Sequence, residues 1–476
     1  MTTYETVIGL EVHAQLLTRS KLFCGCSTAF GAPPNAHVCP TCLGLPGSLP
    51  VTNGEAVRLA VRAGLLLGAT IRQASIFARK QYFYPDLPKG YQISQFEEPI
   101  AEGGHLDVPG ASGVTRVRIR RAHLEEDAGK NVHGVGGDSL VDLNRAGTPL
   151  LEIVSEPDLR SGEDAAEYLR LLRELLMFAG VNDGNLEEGS FRCDANVSVR
   201  PRGTAELGTR TELKNINSFR FVARAIEVES ARQVKLLEAG GRVLQETRSY
   251  DPGTETTATL RSKEEAHDYR YFPDPDLPPL VVPPALLAAE RDGLPEPPAE
   301  LRRRLVAEQG LTQETAETLT QHPAVPAFFR EALAVFPDAV KLANWIVNEV
   351  LRDAELRGTA ARFPVTPTQV GELLALVEGG EISGKQAKEL GKLLAGTSRR
   401  PAELAAERGM RRVSDEGALL AACEAVLAAN ARQVGEYRSG KQGLLGYFVG
   451  QVMKATRGQG DPKLVSELLV RLLGGA

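Results

Sequence analysis

Eight prolines fall between Asp274 and Ala299, and they set the first limit on what this 476-residue chain can fold into. Proline fixes φ and lacks an amide donor, so helix interiors and central strands cannot absorb such a run. The stretch from Asp274-Pro275-Asp276-Leu277-Pro278-Pro279 to Pro295-Glu296-Pro297-Pro298 therefore reads as a linker. Upstream of it, short alternating segments punctuated by Gly and Pro predict strands. Two helices are expected among them, one capped at Ser161 and ending at Gly180, one capped at Ser218 and running to Gly240-Gly241. Downstream, residues from Leu301 on are rich in Ala, Leu, Glu and Arg, with apolar positions recurring at three and four. A second break is expected at Thr397-Ser398-Arg399-Arg400-Pro401. The predicted architecture is α+β: an antiparallel-rich domain over 1–290, a helical domain over 291–400 and a helical tail over 401–476.

The charge balance, 55 basic against 61 acidic residues, argues against a protein that binds nucleic acid mainly through bulk charge. A local basic surface remains compatible with it, and from Ala405 onward ten Lys/Arg stand against seven Asp/Glu. No run of 18 apolar residues is present, so no membrane-spanning helix is expected. The start, Met1-Thr2-Thr3-Tyr4-Glu5, lacks the pattern of a secretion signal, which makes the cytoplasm the expected compartment.

Chemistry is first legible in two strands. With a side-chain period of two, Glu11, His13 and Gln15 share one face of Val7–Leu16, each about 6.6 Å from the next. Over Arg192–Arg200 the same code sets Cys193, Ala195, Val197 and Val199 against Arg192, Asp194, Asn196, Ser198 and Arg200. One solvated side of an antiparallel sheet explains such a pattern, yet solvated faces favour Thr, Lys and Arg over Glu-x-His or Asp-x-Asn. Further acids lie in His123-Leu-Glu125-Glu126-Asp127, Glu187-Glu188, and Glu152 within the apolar run Leu151–Val154. A lone carboxylate in an apolar run is costly without a nearby cation. As a set these oxygens suit Mg²⁺ and a nucleotide; singly, each reads as surface. Arg79–Tyr91 mixes Lys80 and Lys89 with Tyr82, Phe83, Tyr84 and Tyr91, either as a phosphate or substrate loop or as rings packed on lysine stems.

Cys24-Gly-Cys26 and Cys39-Pro-Thr-Cys42 lie within nineteen residues and form two short clamps. Four thiolates suit tetrahedral Zn²⁺, whereas a redox dithiol needs only one pair. Cys193 and Cys423 read as buried small hydrophobes. Gly379-Gly-Glu-Ile-Ser-Gly384-Lys385-Gln386 nearly spells a phosphate-binding loop, but Gln386 replaces the required Ser/Thr and Glu372–Glu378 before it reads as helix. It is expected to be a helix–helix turn. No nucleophile-elbow motif is present.

The longer motifs resemble the B subunit of the aspartyl/glutamyl-tRNA amidotransferase. They are Val7–His13, Phe83–Gln95, His123–Lys130, Ser139–Arg145, Glu187–Asn196, Asp268–Pro273 and Gly446–Lys454. The resemblance covers essentially the whole chain. It implies an ATP-dependent carbon–nitrogen ligase that uses glutamine as amide donor. ATP activates the side-chain carboxylate of Glu-tRNA(Gln) or Asp-tRNA(Asn), and ammonia then displaces phosphate. It also implies partners, namely the glutaminase/amidase A subunit, the small C subunit of the same amidotransferase and misacylated tRNA, and no membrane. The implied fold is a cradle-shaped catalytic domain, a helical domain and a tail contacting tRNA.

Carried over by position, His13, Glu126 and Glu152 are the expected Mg²⁺ ligands, with Glu11, Glu125 and Asp194 as nearby catalytic acids. Lys80, Tyr82 and Lys89 are expected near the nucleotide and an ammonia tunnel mouth. Arg192 and Asn196 are assigned to the cofactor, and Cys24, Cys26, Cys39 and Cys42 to a structural Zn²⁺. The competing reading is a non-catalytic tRNA-binding scaffold, which has no reason to place Glu-x-His and Asp-x-Asn on strand faces.

Overall fold

A computed structural model describes residues 3–111, 113–133, 138–262, 269–410, 416–456 and 460–474. Asp268, which opens one of the motifs above, lies outside them. The chain divides into two compact units, Met1–Glu300 with Arg357–Thr359, and the remainder of 301–476.

The first unit is built on a ten-stranded sheet. Its strands are β1 (Tyr4–Gln15), β2 (Thr70–Ile71), β3 (Ala101–Glu102), β4 (His105–Gly110), β5 (Gly113–Glu126), β6 (Pro149–Ser155), β7 (Phe191–Pro201), β8 (Thr211–Ile216), β9 (Glu246–Asp251) and β10 (Thr256–Ser262). They lie in the order β10-β9-β8-β7-β1-β6-β5-β3-β2, with β4 hairpinned onto β5. The β8–β9 pair is parallel and the other pairs are antiparallel. Alternation along the central strands turns Ile8, Leu10, Val12, Ala195, Val197, Leu151 and Ile153 to one side, all essentially buried in one core.

Helices cover that side. α1 (Gly54–Leu66) is capped by Asn53, whose side chain accepts from the Glu55 amide at 2.9 Å. α2 (Gly162–Phe178) and α3 (Phe219–Glu238) start at the expected caps: Ser161 Oγ accepts from the Asp164 amide at 3.0 Å and Ser218 Oγ from the Phe221 amide at 3.1 Å. Both put their apolar stripes, Leu169, Leu172 and Leu176 on α2 and Val222, Ala225 and Ile226 on α3, into the sheet core.

The proline run is not a free linker. Leu280–Val281 pairs with Ala74–Ser75, and Pro284 opens α4 (Pro284–Asp292), where a missing amide leaves no bond unmade. α4 packs on α1. Its buried Glu290 accepts from Arg58 at 3.0 Å and from Arg62 at 2.6 Å. The prolines stand where no ladder needs their amide, so the first unit continues to Glu300.

Among the described residues the second unit is otherwise helical, and a short strand pair, Glu355–Arg357 with Ala360–Arg362, interrupts it around the residues 357–359 assigned to the first. Helices Pro367–Glu378 and Gly384–Leu394 flank the decoy phosphate loop, and Gln386 joins Ser383 in a capping box there. Helix Pro401–Glu407 buries Leu404 and Ala405 in the same core as Leu373 and Leu390, so Arg400-Pro401 starts a helix inside that core rather than separating two cores. Glu416–Ala429, Leu445–Ala455 and Pro462–Gly474 form a further core around Cys423, Phe448 and Leu469.

Glu229 of α3 fastens helix to sheet. Its fully buried carboxylate accepts from Thr211 at 2.8 Å, Gln233 at 2.9 Å, Thr257 at 2.9 Å and Arg232 at 2.6 Å. Burial alone would push this carboxyl up, but Arg232, Gln233 and Thr211 together hold it below its ordinary value. A depressed folded-state value means the stabilisation is complete above the unfolded value of about 4.3 and is lost as pH falls below it. Glu229→Gln should therefore destabilise the first unit by on the order of 1–3 kcal/mol near neutral pH. Denaturant melts near pH 7 and pH 3 should show that gap shrinking in acid.

Candidate active site

The face of the sheet opposite the helices floors a cavity of about 1660 Å³. Strand register decides what meets there. Across β1–β6 His13 stands opposite Glu152, across β6–β5 Glu152 stands opposite His123, and across β1–β7 Glu11 stands opposite Asp194. Asn196 on β7 stands opposite Glu212 on β8. Acids and imidazoles from five strands thus converge on one surface.

They form two clusters. In the first, His13 Nε2 lies 3.6 Å from Glu152 and 4.0 Å from Glu125, while His123 Nε2 lies 3.3 Å from Glu152 and 3.8 Å from Glu125. Ser94 Oγ donates to Glu125 at 3.2 Å. Burial disfavours an imidazolium at His13, but the hydrogen bond and charge of Glu152, aided by Asp194 and Glu125, raise it to about 9. Against its own burial, Glu152 is pulled well down by His123 and His13.

In the second cluster Glu11, Asp194 and Glu212 surround Lys214, whose ammonium pairs with Asp194 and lies 3.4 Å from Glu212. Asn196 donates to Glu11 at 2.8 Å. Burial, then the charges of Glu152, Glu212 and Asp194, push the Glu11 carboxyl up.

Around these acids stand fixed cations. Arg192 donates to Asp127 at 2.9 Å, and Gln15 donates to the same carboxylate at 2.8 Å. Lys80 lies 4.9 Å from the Tyr269 ring centre and 6.0 Å from that of Tyr82, so the lysine belongs to the cavity wall. Burial opposes its charge, but Tyr271, Glu125 and Glu152 outweigh that and hold it charged. Tyr82 is pushed up to about 12, chiefly by burial.

Glu11, His13, Lys80, Tyr82, Glu125, Glu152, Arg192, Asp194 and Asn196 all line this cavity. Glu126 and Lys89 do not. Successive strand residues point to opposite faces, so Glu125 enters the cavity and Glu126 turns away, where it pairs with Lys89 beside Cys24, Cys42 and Gly147. The expected grouping of Glu126 with His13 and Glu152 is corrected accordingly: Glu125 is the acid that joins them.

His123 was assigned no role from sequence, and two further members of the site, Glu212 and Lys214, were not read from it at all. Their signal is the alternation in Thr211-Glu-Leu-Lys-Asn-Ile216, where Glu and Lys share a face.

The four cysteines meet as well. Their sulfur atoms lie within 4.8 Å of one another, which suits ligation of a single ion. Cys42 lies at 3.7 Å from the Lys21 ammonium, and its thiol is lowered to about 4, first by the Cys24 hydrogen bond and then, against burial, by the Cys39 amide and Lys21.

The chain whose sheet gathers two acid clusters and two half-buried lysines in one cavity matches, over residues 6–288, the family model described as the GatB/GatE catalytic domain. A second model, described as the GatB domain, matches residues 327–473. The chain is 54% identical over 477 residues to the B subunit of the aspartyl/glutamyl-tRNA(Asn/Gln) amidotransferase of Geotalea uraniireducens (strain Rf4), covering 99% of this chain and 100% of that protein. It is 54% identical over 475 residues to the protein of the same name from Myxococcus xanthus (strain DK1622), covering 99% of each. To that of Anaeromyxobacter sp. (strain K) it is 56% identical over 478 residues, again covering 99% of each. The chain belongs to the family of aspartyl/glutamyl-tRNA(Asn/Gln) amidotransferase B subunits.

The first cluster sets a measurable proton affinity. With no divalent ion present, His13 should titrate near 9 by NMR. Because that value is raised, His13 stabilises the fold below its unfolded value of about 6.5, and this is lost as pH rises through 9. Glu152→Gln should drop the titration by more than about one unit, since burial then acts with less opposition.

Proposed function

We propose that this chain is the carboxylate-activating member of a tRNA-dependent amidotransferase assembly, acting on Glu-tRNA(Gln), Asp-tRNA(Asn) or both. The observation that carries the reading is the convergence of His13, Glu125 and Glu152, with Glu11, Asp194 and Glu212 beside them, on one cavity floor.

The chemical problem is that a carboxylate is a poor acylating agent. Transfer of the terminal phosphoryl group of ATP to a side-chain carboxylate oxygen, with ADP leaving, converts that oxygen into a phosphate leaving group. Attack by ammonia nitrogen on the acyl carbon then forms the amide and expels phosphate. Both steps gather negative charge, which must be held and neutralised.

The residues fit a divalent ion: one imidazole nitrogen and two carboxylates offer donor atoms within 4.8 Å of one another. A bound Mg²⁺ would neutralise phosphate charge and fix an in-line arrangement. Lys80, held charged at the cavity wall, is placed to neutralise a substrate carboxylate or phosphate oxygen. Arg192 and Asn196 are assigned to nucleotide contacts, Arg192 being held by Asp127 and Asn196 by Glu11. The segment 401–476 is assigned to tRNA backbone contacts. The cysteine quartet is assigned to structural Zn²⁺, since four sulfurs in mutual reach match a closed tetrahedral set.

Reconstitution with an amidase partner tests the reading. With misacylated tRNA, ATP, Mg²⁺ and glutamine, the assembly should form tRNA-linked amide. His13→Ala or Glu125→Gln should cut that rate on the order of 100-fold or more, while the partner's glutamine hydrolysis survives at least in part. Wild-type amidation by both variants would defeat the assignment. The zinc reading is checked separately. Purified chain should carry about one equivalent of Zn²⁺, and Cys42→Ser should lose it and melt at lower temperature, with a smaller effect on the chemical step.

A further inference from the structure

We propose that Lys89 is a positioning residue. Its buried ammonium anchors Glu126, and through Glu126 it fixes the neighbouring Glu125 in the divalent-ion cluster. The inference rests on reading His13, Glu125 and Glu152 as that cluster.

Glu125 and Glu126 are consecutive on β5 and face opposite ways, so a shift of the strand backbone at one is a shift at the other. Glu126 is gripped on its own side. Oε1 accepts from the Ile93 amide at 2.9 Å and from the Lys89 ammonium. Its backbone carbonyl accepts from Gln92 at 2.7 Å, while on the far face Ser94 donates to Glu125 at 3.2 Å. The strand Tyr91–Ser94 therefore holds both carboxylates, and Lys89, two residues before it, supplies the charge that keeps Glu126 in place.

Lys89 is itself held. A Cβ at Gly44 would stand 2.4 Å from Lys89 Cγ, so the lysine stem lies directly on the bare backbone there. Gly44, at φ +68°, ends the one-turn helix Pro40–Leu43 that carries Cys42. The cysteine knuckle is thus the wall behind Lys89, and contact runs unbroken from Cys42's helix through Gly44, Lys89 and Glu126 to Glu125. A partner that hydrogen-bonds a metal ligand directly is worth about 10- to 100-fold in metal affinity, and Lys89, one contact further out, stands at the lower end of that range.

Removing the ammonium while keeping the stem separates positioning from packing. Lys89→Met leaves Glu126 buried without its counter-charge, so the β5 backbone there shifts to bring the carboxylate toward other donors, and Glu125 shifts with it. Manganese serves as the probe, with binding to the full chain followed by electron paramagnetic resonance and folding followed by circular dichroism. Lys89→Met should weaken Mn²⁺ binding about tenfold or more and alter the bound-ion spectrum, and Lys89→Arg should restore most of the affinity. His13→Ala serves as the second arm and should abolish binding. If His13→Ala binds Mn²⁺ like wild type, the cluster reading fails. If His13→Ala loses the ion while folded Lys89→Met keeps wild-type affinity and spectrum, the positioning inference is overturned. Should Lys89→Met fail to fold, Glu126→Gln decides. It keeps an acceptor for the Ile93 amide but removes the charged partner, and wild-type Mn²⁺ affinity in that variant overturns the inference equally.

Discussion

The antiparallel register of β7, β1, β6 and β5 is the constraint on which the rest of the molecule depends. It sets His123, Glu152, His13 and Arg192 side by side as one row across four strands, and Glu11 with Asp194 in the row two residues along. Neighbouring strands lie about 4.8 Å apart, so side chains in such a row are forced into mutual reach. A slip of one residue would send every acid into the core and every Leu and Ile to the cavity. What prevents it is the opposite face. Ile8, Leu10, Val12, Leu151 and Ile153 are buried to within 2% of completely, and burying each stabilises by about 1.5–3 kcal/mol. The apolar side thus fixes the geometry of the polar side, and the register carries no separate instruction for chemistry.

Gathering carboxylates in this way is unfavourable, and the structure shows how the repulsion is met. Every acid of the two clusters has a cation or a donor against it. Glu152 has two imidazoles, Asp194 and Glu212 share Lys214, and Glu11 accepts from Asn196. Asp127, just beyond Glu125 on the same face, is held by Arg192 and Gln15. The compensation is incomplete at Glu11, which is pushed up by burial and three carboxylates. His123 Nδ1 is buried without a hydrogen-bond partner among the described residues. Residual imbalance of this kind concentrates where a ligand of opposite charge completes the set.

Much of this was legible in the sequence. Period-two reading placed Glu11, His13 and Gln15 together and set Arg192, Asp194 and Asn196 against an apolar face, because strand alternation is a local rule. The caps at Ser161 and Ser218 were local too. Pairing between distant segments is not local, so the meeting of Lys214 with Asp194 had no signal beyond the alternation around Leu213. The phase of β5 was nonetheless present in His123-Leu124-Glu125-Glu126-Asp127. With Leu124 in the core, positions 123, 125 and 127 must share the polar face, and Glu126 falls with the leucine. Resemblance alone pointed to Glu126, and alternation corrects it. The proline run misled for a related reason. Proline forbids some positions, but the residues just before a strand and the first helical turn are not among them: Pro278-Pro279 precede the strand Leu280–Val281, and Pro283-Pro284 open α4.

The cysteines fall into two groups with opposite surroundings. Four sit together in the N-terminal knuckle with Lys21 close to Cys42, in surroundings that favour thiolate there. The other two are sealed in cores. Cys193 lies on the apolar face of β7, directly behind the acid clusters, and burial reinforced by Asp194 and Glu11 drives its thiol well above the ordinary range. Cys423 is pushed up in the same sense inside the C-terminal core. A thiol held protonated and shielded is a poor nucleophile. The polar face in front of Cys193 instead carries carboxylates, imidazoles and ammonium groups at fixed positions. Such a surface places charge against charge, the arrangement that the proposed activation of a carboxylate through phosphate would require. Covalent attack on an amide requires an exposed, activated nucleophile, and the same alternation that brings Asp194 to the cavity buries Cys193 behind it.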